Sequence, residues 1–350
     1  MIPPADQLSL LAGLLQRFSP SGQESSAAKY LAAQMRSMGF NARVDEIGNA
    51  VGSLGDGPKE LMLLGHIDTV PGYIEVRQDG DALWGRGAVD AKGSLACMVA
   101  AAAQVGPRTG WKITVIGAVG EEDDGRGARF IRDHHRPEYL IIGEPSGWDR
   151  ITLGYKGDAY FWYVVRRSVT HTATALESAC EAAVGFWNRV AARCTEINLG
   201  LERSFEQLTP TLRGLSSSTD GFTETAQLTI GLRLPLGWEM DQVEDELDQL
   251  AGDGIVELIR GDPAFKADKN NPLVRAFLAG IRKAGATPAF ALKTGTSDMN
   301  TVAPLWGCPT LAYGPGDSTL DHTLEEHILV SEYRKSIAIL ADVLWSLTAS

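Results

Sequence analysis

Four short, mainly apolar runs, each leading to residues able to bind a metal, constrain this chain more than any other feature. Leu61-Met62-Leu63-Leu64 runs into His66-Ile67-Asp68, Lys112 to Ala118 into Glu121-Glu122, and Tyr139 to Ile142 into Glu144. Thr310-Leu311-Ala312-Tyr313 leads through Gly314-Pro315-Gly316 towards His322. Apolar runs of this length between polar loops read as buried strands. Helical stretches accompany them: Gln23 to Met38 closed by Gly39, the Ala-rich Gly93 to Val105, and the terminal Ser331 to Leu347, while Pro272 to Ala284 resumes the alternating pattern. The alternation predicts an α/β class chain with a mixed, largely parallel sheet flanked by helices. Open sheets of that kind carry their sites at the carboxyl ends of strands, which is where these residues fall.

A different texture begins near Tyr155. Ala159 to Val165, Leu228 to Leu234 and Ile255 to Ile259 read as strands, with helices over Thr172 to Val190 and Met240 to Leu250. The pattern predicts a small α+β domain inserted into the first. Its expected span is 156–263, leaving 1–155 plus 264–350 as a discontinuous metal-binding domain. A length of 350 residues fits two domains. No internal repeat or low-complexity tract is present.

Composition narrows the function classes. No apolar run approaches the roughly 20 residues that span a bilayer, and Met1-Ile2-Pro3-Pro4-Ala5-Asp6 lacks the basic start of an export signal. Cys97, Cys180, Cys194 and Cys308 are scattered, so buried, reduced thiols and a cytoplasmic setting are expected. A net charge of −12 disfavours nucleic acid. The run Glu239 to Asp248 reads as an acidic amphipathic helix. His134, His135 and His327 stand in polar, helix-like contexts and are expected to face solvent.

The strand-end residues suit a pair of divalent cations, zinc first and cobalt or manganese as alternatives. Hydrolytic zinc sites take nitrogen and oxygen ligands and keep a position open for water. Asp90, central in the order, is the candidate bridge between paired metals. His66 with Glu144 completes one set, and Glu122 with His322 the other. Asp68, two residues beyond His66, is placed to accept the second imidazole N–H. Glu121 is the acid left over, suited to taking a proton from water and delivering it to a leaving amine. Singly, each has a plainer reading: Asp68 or Asp90 as a helix cap, Glu121-Glu122-Asp123-Asp124 as a solvated helix start. Their joint placement at strand ends favours a metal-dependent amide hydrolase.

Gly65-His66-Ile67-Asp68-Thr69-Val70-Pro71, Gly85-Arg86-Gly87-Ala88-Val89-Asp90-Ala91-Lys92-Gly93, Glu121-Glu122, Gly143-Glu144-Pro145 and Asp321-His322 together resemble the di-zinc metallopeptidase family of aminoacylase, acetylornithine deacetylase and succinyl-diaminopimelate desuccinylase. The resemblance covers nearly the whole chain. It implies a homodimer formed by the inserted domain, which acts as a lid and lends a histidine to the partner's site. His171 matches that residue, although Ser168-Val169-Thr170 departs from the usual glycine-bearing context. Arg233 resembles the family arginine that binds a substrate carboxylate, for which a guanidinium fork is suited. Gly295 and Thr296, in Gly295-Thr296-Ser297-Asp298, resemble a substrate loop.

Within the family, Gly143 to Arg150 and Leu153-Gly154-Tyr155-Lys156-Gly157 look most like the branch that frees lysine or ornithine from a γ-glutamyl link to an amino-group carrier protein, in lysine and arginine biosynthesis. The implied partner is a small acidic carrier. Because this chain is acidic too, a basic patch is expected to receive it, with Lys156, Arg166, Arg167, Arg213 and Lys293 as candidates. The alternatives are acetylornithine deacetylase, succinyl-diaminopimelate desuccinylase or dipeptidase activity, or a non-catalytic metal-binding homologue, which the presence of Glu121 disfavours. Nucleotide binding is poorly supported, since Gly85-Arg86-Gly87 and Gly125-Arg126-Gly127 do not continue to a third glycine. No Gly-x-Ser-x-Gly elbow supports a serine hydrolase.

Overall fold

The computed structural model describes residues 4–171 and 176–349. The chain divides into two compact units, one of residues 1–154, 267–292 and 297–350, the other of 155–266 and 293–296. The second is slightly longer than the 156–263 expected from sequence, and the four residues 293–296 join it from downstream.

In the first unit, Trp111–Ala118, Lys59–His66, Tyr139–Ile142 and Thr310–Ala312 lie side by side as parallel strands. Leu61 to Leu64 are fully buried, so both faces of that strand are covered. The sheet is mixed. A hairpin of Asn41–Val44 and Ala50–Leu54 adds antiparallel strands at one edge, and Arg150–Tyr155 pairs antiparallel to Thr310–Ala312 on the far side of the parallel strands. The hairpin strands are short and half polar, so no apolar run marks them in the sequence. Helix Lys92–Val105 packs against Val330–Leu347 and Pro4–Leu15. Its first eleven residues are all buried, which its small side chains permit by close approach. A third, small sheet joins His327–Leu329, Ala82–Trp84 and Arg77–Asp79. His327 is therefore on a strand, stacked on Trp84 with ring centroids 4.5 Å apart, and not on a helix facing solvent. Among the described residues, no helix is long and apolar enough to cross a membrane.

The second unit is a four-stranded antiparallel sheet in the order Thr209–Thr219, Thr223–Leu234, Gly157–Ser168, Ile255–Asp262. Ala159, Phe161, Tyr163 and Val165 alternate onto one face and share a core with Leu228, Ile230 and Leu232. Helices Ala179–Ile197 and Met240–Ala251 cover that face through Phe186, Val190, Val243 and Leu247. The first helix begins later than the Thr172 expected from sequence. Ser178 caps it by accepting from Glu181 N while the Glu181 side chain accepts from Ser178 N. Residues 172–175 lie outside the described residues. That start also leaves Cys180 exposed, contrary to the expectation of four buried thiols. Strand Thr209–Thr219 was not anticipated, because its polar sequence shows no apolar alternation.

Candidate metal centre

The loops beyond the parallel strands bring the site together. His66 is the last residue of its strand and is 1% exposed. Its Nε2 lies 3.0 Å from Asp90 Oδ1 and 3.8 Å from Glu144 Oε1. Asp90 turns its other oxygen to the second histidine, with Oδ2 3.0 Å from His322 Nε2. The same nitrogen is 3.0 Å from Glu122 Oε1. One carboxylate thus spans two imidazoles, each with a further glutamate at hand. His66, Asp90 and Glu122 present ligand atoms that all lie within 4.8 Å of one another. His322 holds its place in the left-handed region, at φ 63°, a backbone conformation uncommon outside glycine.

Asp68 departs from its expected role. The Nδ1 of His66 donates to the Asp68 carbonyl oxygen at 3.0 Å, while the carboxylate stands farther off at 3.6 Å. That carboxylate instead accepts from the backbone N–H groups of Glu121 and Glu122, both at 3.1 Å, and from Ser21 Oγ at 2.7 Å. Asp68 is fully buried and pins the turn that carries both glutamates. The turn opens at Gly120, whose φ of 77° favours glycine.

A second brace was not legible in the sequence. Glu326, 1% exposed, accepts from the backbone N–H of Val89 at 3.0 Å and of Asp90 at 3.1 Å. Its other oxygen takes Arg86 Nη1 at 2.8 Å. The Gly85-Arg86-Gly87 stretch therefore serves to seat Asp90. The only advance sign was an arginine in a glycine turn upstream of Asp90.

Electrostatics at the cluster are unbalanced. Burial and the negative charge of Glu144, Glu122 and Asp298 push the Glu121 carboxyl well above its ordinary range, against the pull of His66. Glu144 is raised likewise by burial and by Asp90, Asp321 and Asp298. Asp298 and Asp321 belong to this acidic surrounding but were not assigned from sequence. Burial opposes the charge on Asp90, yet the hydrogen bonds to His322 and His66 hold its carboxyl below the usual range. His322 is raised to about 10 by its bonds to Asp90 and Glu122. More acid is buried here than two imidazoles can neutralise, and buried charge without a partner is costly. Divalent cations fit this donor set of imidazole nitrogens and carboxylate oxygens.

The remaining predicted residues lie in the second unit. Arg233 donates from Nη1 to Thr296 Oγ1, so those two meet. Gly295 precedes Thr296, and a Cβ there would touch nothing. His171 is exposed, three residues beyond the Gly157–Ser168 strand. Arg233 pairs in register with Asp158 at the opposite end of that strand. About 30 Å of extended chain therefore separates His171 from Arg233. Lys156 is not a surface cation: it is 1% exposed and donates to Ser204 O and Thr209 Oγ1, both at 3.2 Å, and to Gln207 O. Burial and the charge of Arg233 lower its pKa to about 8. Arg167 is paired to Asp253 and Glu177.

A family profile described as peptidase family M20/M25/M40 matches residues 62–346. The chain belongs to that family. A LysW-lysine hydrolase from Deinococcus radiodurans is 46% identical to this M20 chain over 335 residues, covering 93% of this chain and 92% of its own. A provisional LysW-lysine/LysW-ornithine hydrolase from Thermococcus kodakarensis is 38% identical, covering 98% and 93%. Among solved structures, an M20 metallo-carboxypeptidase from Sulfolobus solfataricus superposes with a TM-score of 0.80 over 99% of this chain and 100% of its own, at 17% identity. The last likeness is one of fold.

Proposed function

We propose that this M20 chain hydrolyses the amide that joins lysine or ornithine to a carrier protein through a γ-glutamyl group. The observation that carries the chemistry is Asp90 spanning His66 and His322 at 3.0 Å on either side. Full-length similarity to the Deinococcus relative supports the substrate. Two divalent ions, zinc or alternatively cobalt or manganese, would be held by His66, Asp90 and Glu144 on one side and by Asp90, Glu122 and His322 on the other. When bound, such ions polarise an amide carbonyl and acidify water.

Glu121 is the acid outside both ligand sets. It takes a proton from the attacking water and passes it to the amine nitrogen as the C–N bond breaks, releasing a carboxylate and free lysine or ornithine. Lying outside both ligand sets, its carboxyl can carry that proton between the two steps. Asp68 fixes the backbone beneath it. Arg233 receives a substrate carboxylate, with Gly295 and Thr296 in the adjoining loop. His171 serves the site of a partner copy in a homodimer, a reading supported by its separation from Arg233 along the sheet.

The test is a side-by-side assay of carrier-linked lysine, acetylornithine, succinyl-diaminopimelate and dipeptides. Carrier-linked lysine should give the highest kcat/KM. A chelator should abolish turnover, and added Zn²⁺ or Co²⁺ should restore it. Turnover indifferent to chelation would end the metal-dependent reading, whereas preference for another substrate would end only the carrier reading.

A further inference from the structure

The open face of the second unit's sheet sets beside Arg233 further charges that the catalytic reading leaves unused. Residues paired across antiparallel strands share a face, so Arg233, Asp158 and Asp262 stand in one row, and Gly231, Tyr160 and Arg260 in the next. Asp158 is 6% exposed, and its Oδ2 lies 3.9 Å from Arg233 Nη1 and 4.0 Å from Arg260 Nη1. Two guanidinium groups therefore straddle one buried carboxylate, at a distance that holds them by charge without using up their N–H donors. Among the described residues Arg260 meets no acceptor within hydrogen-bond distance. Its guanidinium instead lies over the Tyr160 ring, 4.4 Å from the centroid, which fixes its plane. Gly231 beside Tyr160 leaves the face low, and the Arg213 stem covers it.

A fork of five donors, half-exposed and pre-positioned, is suited to a carboxylate. If Arg233 takes the carboxylate of the lysine or ornithine, Arg260 is placed for a second one. A γ-linked glutamyl residue at the end of a chain has such a group, its own free α-carboxylate. We propose that Arg260, with Arg233 across Asp158, forms a dicarboxylate-receiving site, in which Arg260 binds the α-carboxylate of a γ-linked glutamyl residue. The identity of that glutamyl residue rests on the carrier-protein reading above. The dicarboxylate chemistry of the site does not.

Two measurements on the full-length, metal-loaded protein separate these. Calorimetry with glutarate, against butyrate as a monocarboxylate, probes the site directly. Glutarate should bind the wild type more tightly than butyrate, and Arg260→Gln should weaken it about 10- to 100-fold. Arg260→Lys should lie between them, since it retains charge and loses the fork. The second measurement compares hydrolysis of N-acetyl-γ-glutamyl-lysine with its glutamyl α-carboxamide. The free acid should be preferred by a similar factor, chiefly through KM, and in Arg260→Gln the ratio of the two should fall to about one. Glutarate binding indifferent to Arg260→Gln overturns the site, and a wild type that does not distinguish acid from carboxamide overturns its assignment to the glutamyl α-carboxylate. Loss of glutarate binding in Arg260→Gln while neither amide is cleaved upholds the site and refutes the γ-glutamyl reading.

Discussion

The two ends of the strand Lys59–His66 both bury an acid beside a histidine, and they treat it in opposite ways. At the first end Glu60 accepts from Thr114 Oγ1 at 2.6 Å, Lys112 Nζ at 2.9 Å and His135 Nδ1 at 3.1 Å. Burial alone would raise its pKa, but those donors bring it down to about 2. At the far end His66 faces Asp90, Glu144 and Glu121, and there the carboxyls of Glu121 and Glu144 are pushed up. The same backbone and the same residue types give a finished ion-pair network at one end and an excess of acid at the other. A balanced buried cluster is structure; an unbalanced one is a site for a cation.

The largest effect that would break this contrast is expected at Glu121. Glu121→Gln keeps the shape and removes the proton carrier, so kcat should fall by about 10²- to 10⁴-fold. KM and metal content should hold, because Glu121 lies outside both proposed ligand sets. Turnover retained in this variant would strip Glu121 of its role and leave the excess acid at that end without a catalytic meaning.

Asp68 should come next. Its carboxylate accepts from two backbone N–H groups and a serine hydroxyl. Asn at that position keeps one acceptor and turns an NH₂ group towards a donor. Loss of a supporting partner around a metal site costs about 10- to 100-fold in metal affinity or activity. Asp68→Asn should therefore lose both kcat/KM and retention of metal on dialysis. Activity lost with metal fully retained would instead confine Asp68 to placing Glu121.

How much of this could be read in advance follows the same division. The seven first-unit residues assigned from the sequence lie close together because strand ends are marked by apolar runs, and His, Asp and Glu beyond them are visible by type. What supports them was not visible. Glu326 lies more than 200 residues from Asp90 in the chain, and nothing in Glu325-Glu326-His327 marks it as buried. Ser21 and Ser19, whose Oγ accepts no share of the chemistry but donates to Ile67 O at 2.8 Å, look like ordinary loop serines. Lys156 was misread because a lysine's sequence context does not reveal a cage of carbonyls. Residue type alone also could not separate His135, half-buried against Glu60, from its exposed neighbour His134. The start of helix Ala179–Ile197 was legible after all, since Ser178 with Glu181 three residues on is a better mark than apolar periodicity.

The smallest effect is expected at the balanced end, and it concerns stability. The folded-state pKa of Glu60, about 2, lies below its ordinary value of 4.5. The folded protein therefore binds that proton less readily than the unfolded chain does. The resulting stabilisation is present in full above about pH 4.5 and is lost as pH falls from there towards 2. Glu60→Gln removes the titrating group together with its ion pair to Lys112 and its contact with His135. It should lower stability by about 1–3 kcal/mol at neutral pH, the usual range for a buried group left partly unpaired. Below pH 4.5 the gap between wild type and variant should close, because the wild type is by then losing the interaction the variant never had. Urea unfolding of chelator-treated protein at stepped pH measures this without interference from metal loss at the other end of the strand. A constant gap down to pH 2 would mean that packing, and not charge, holds Glu60 in place, and the two ends would then differ in shape more than in electrostatics.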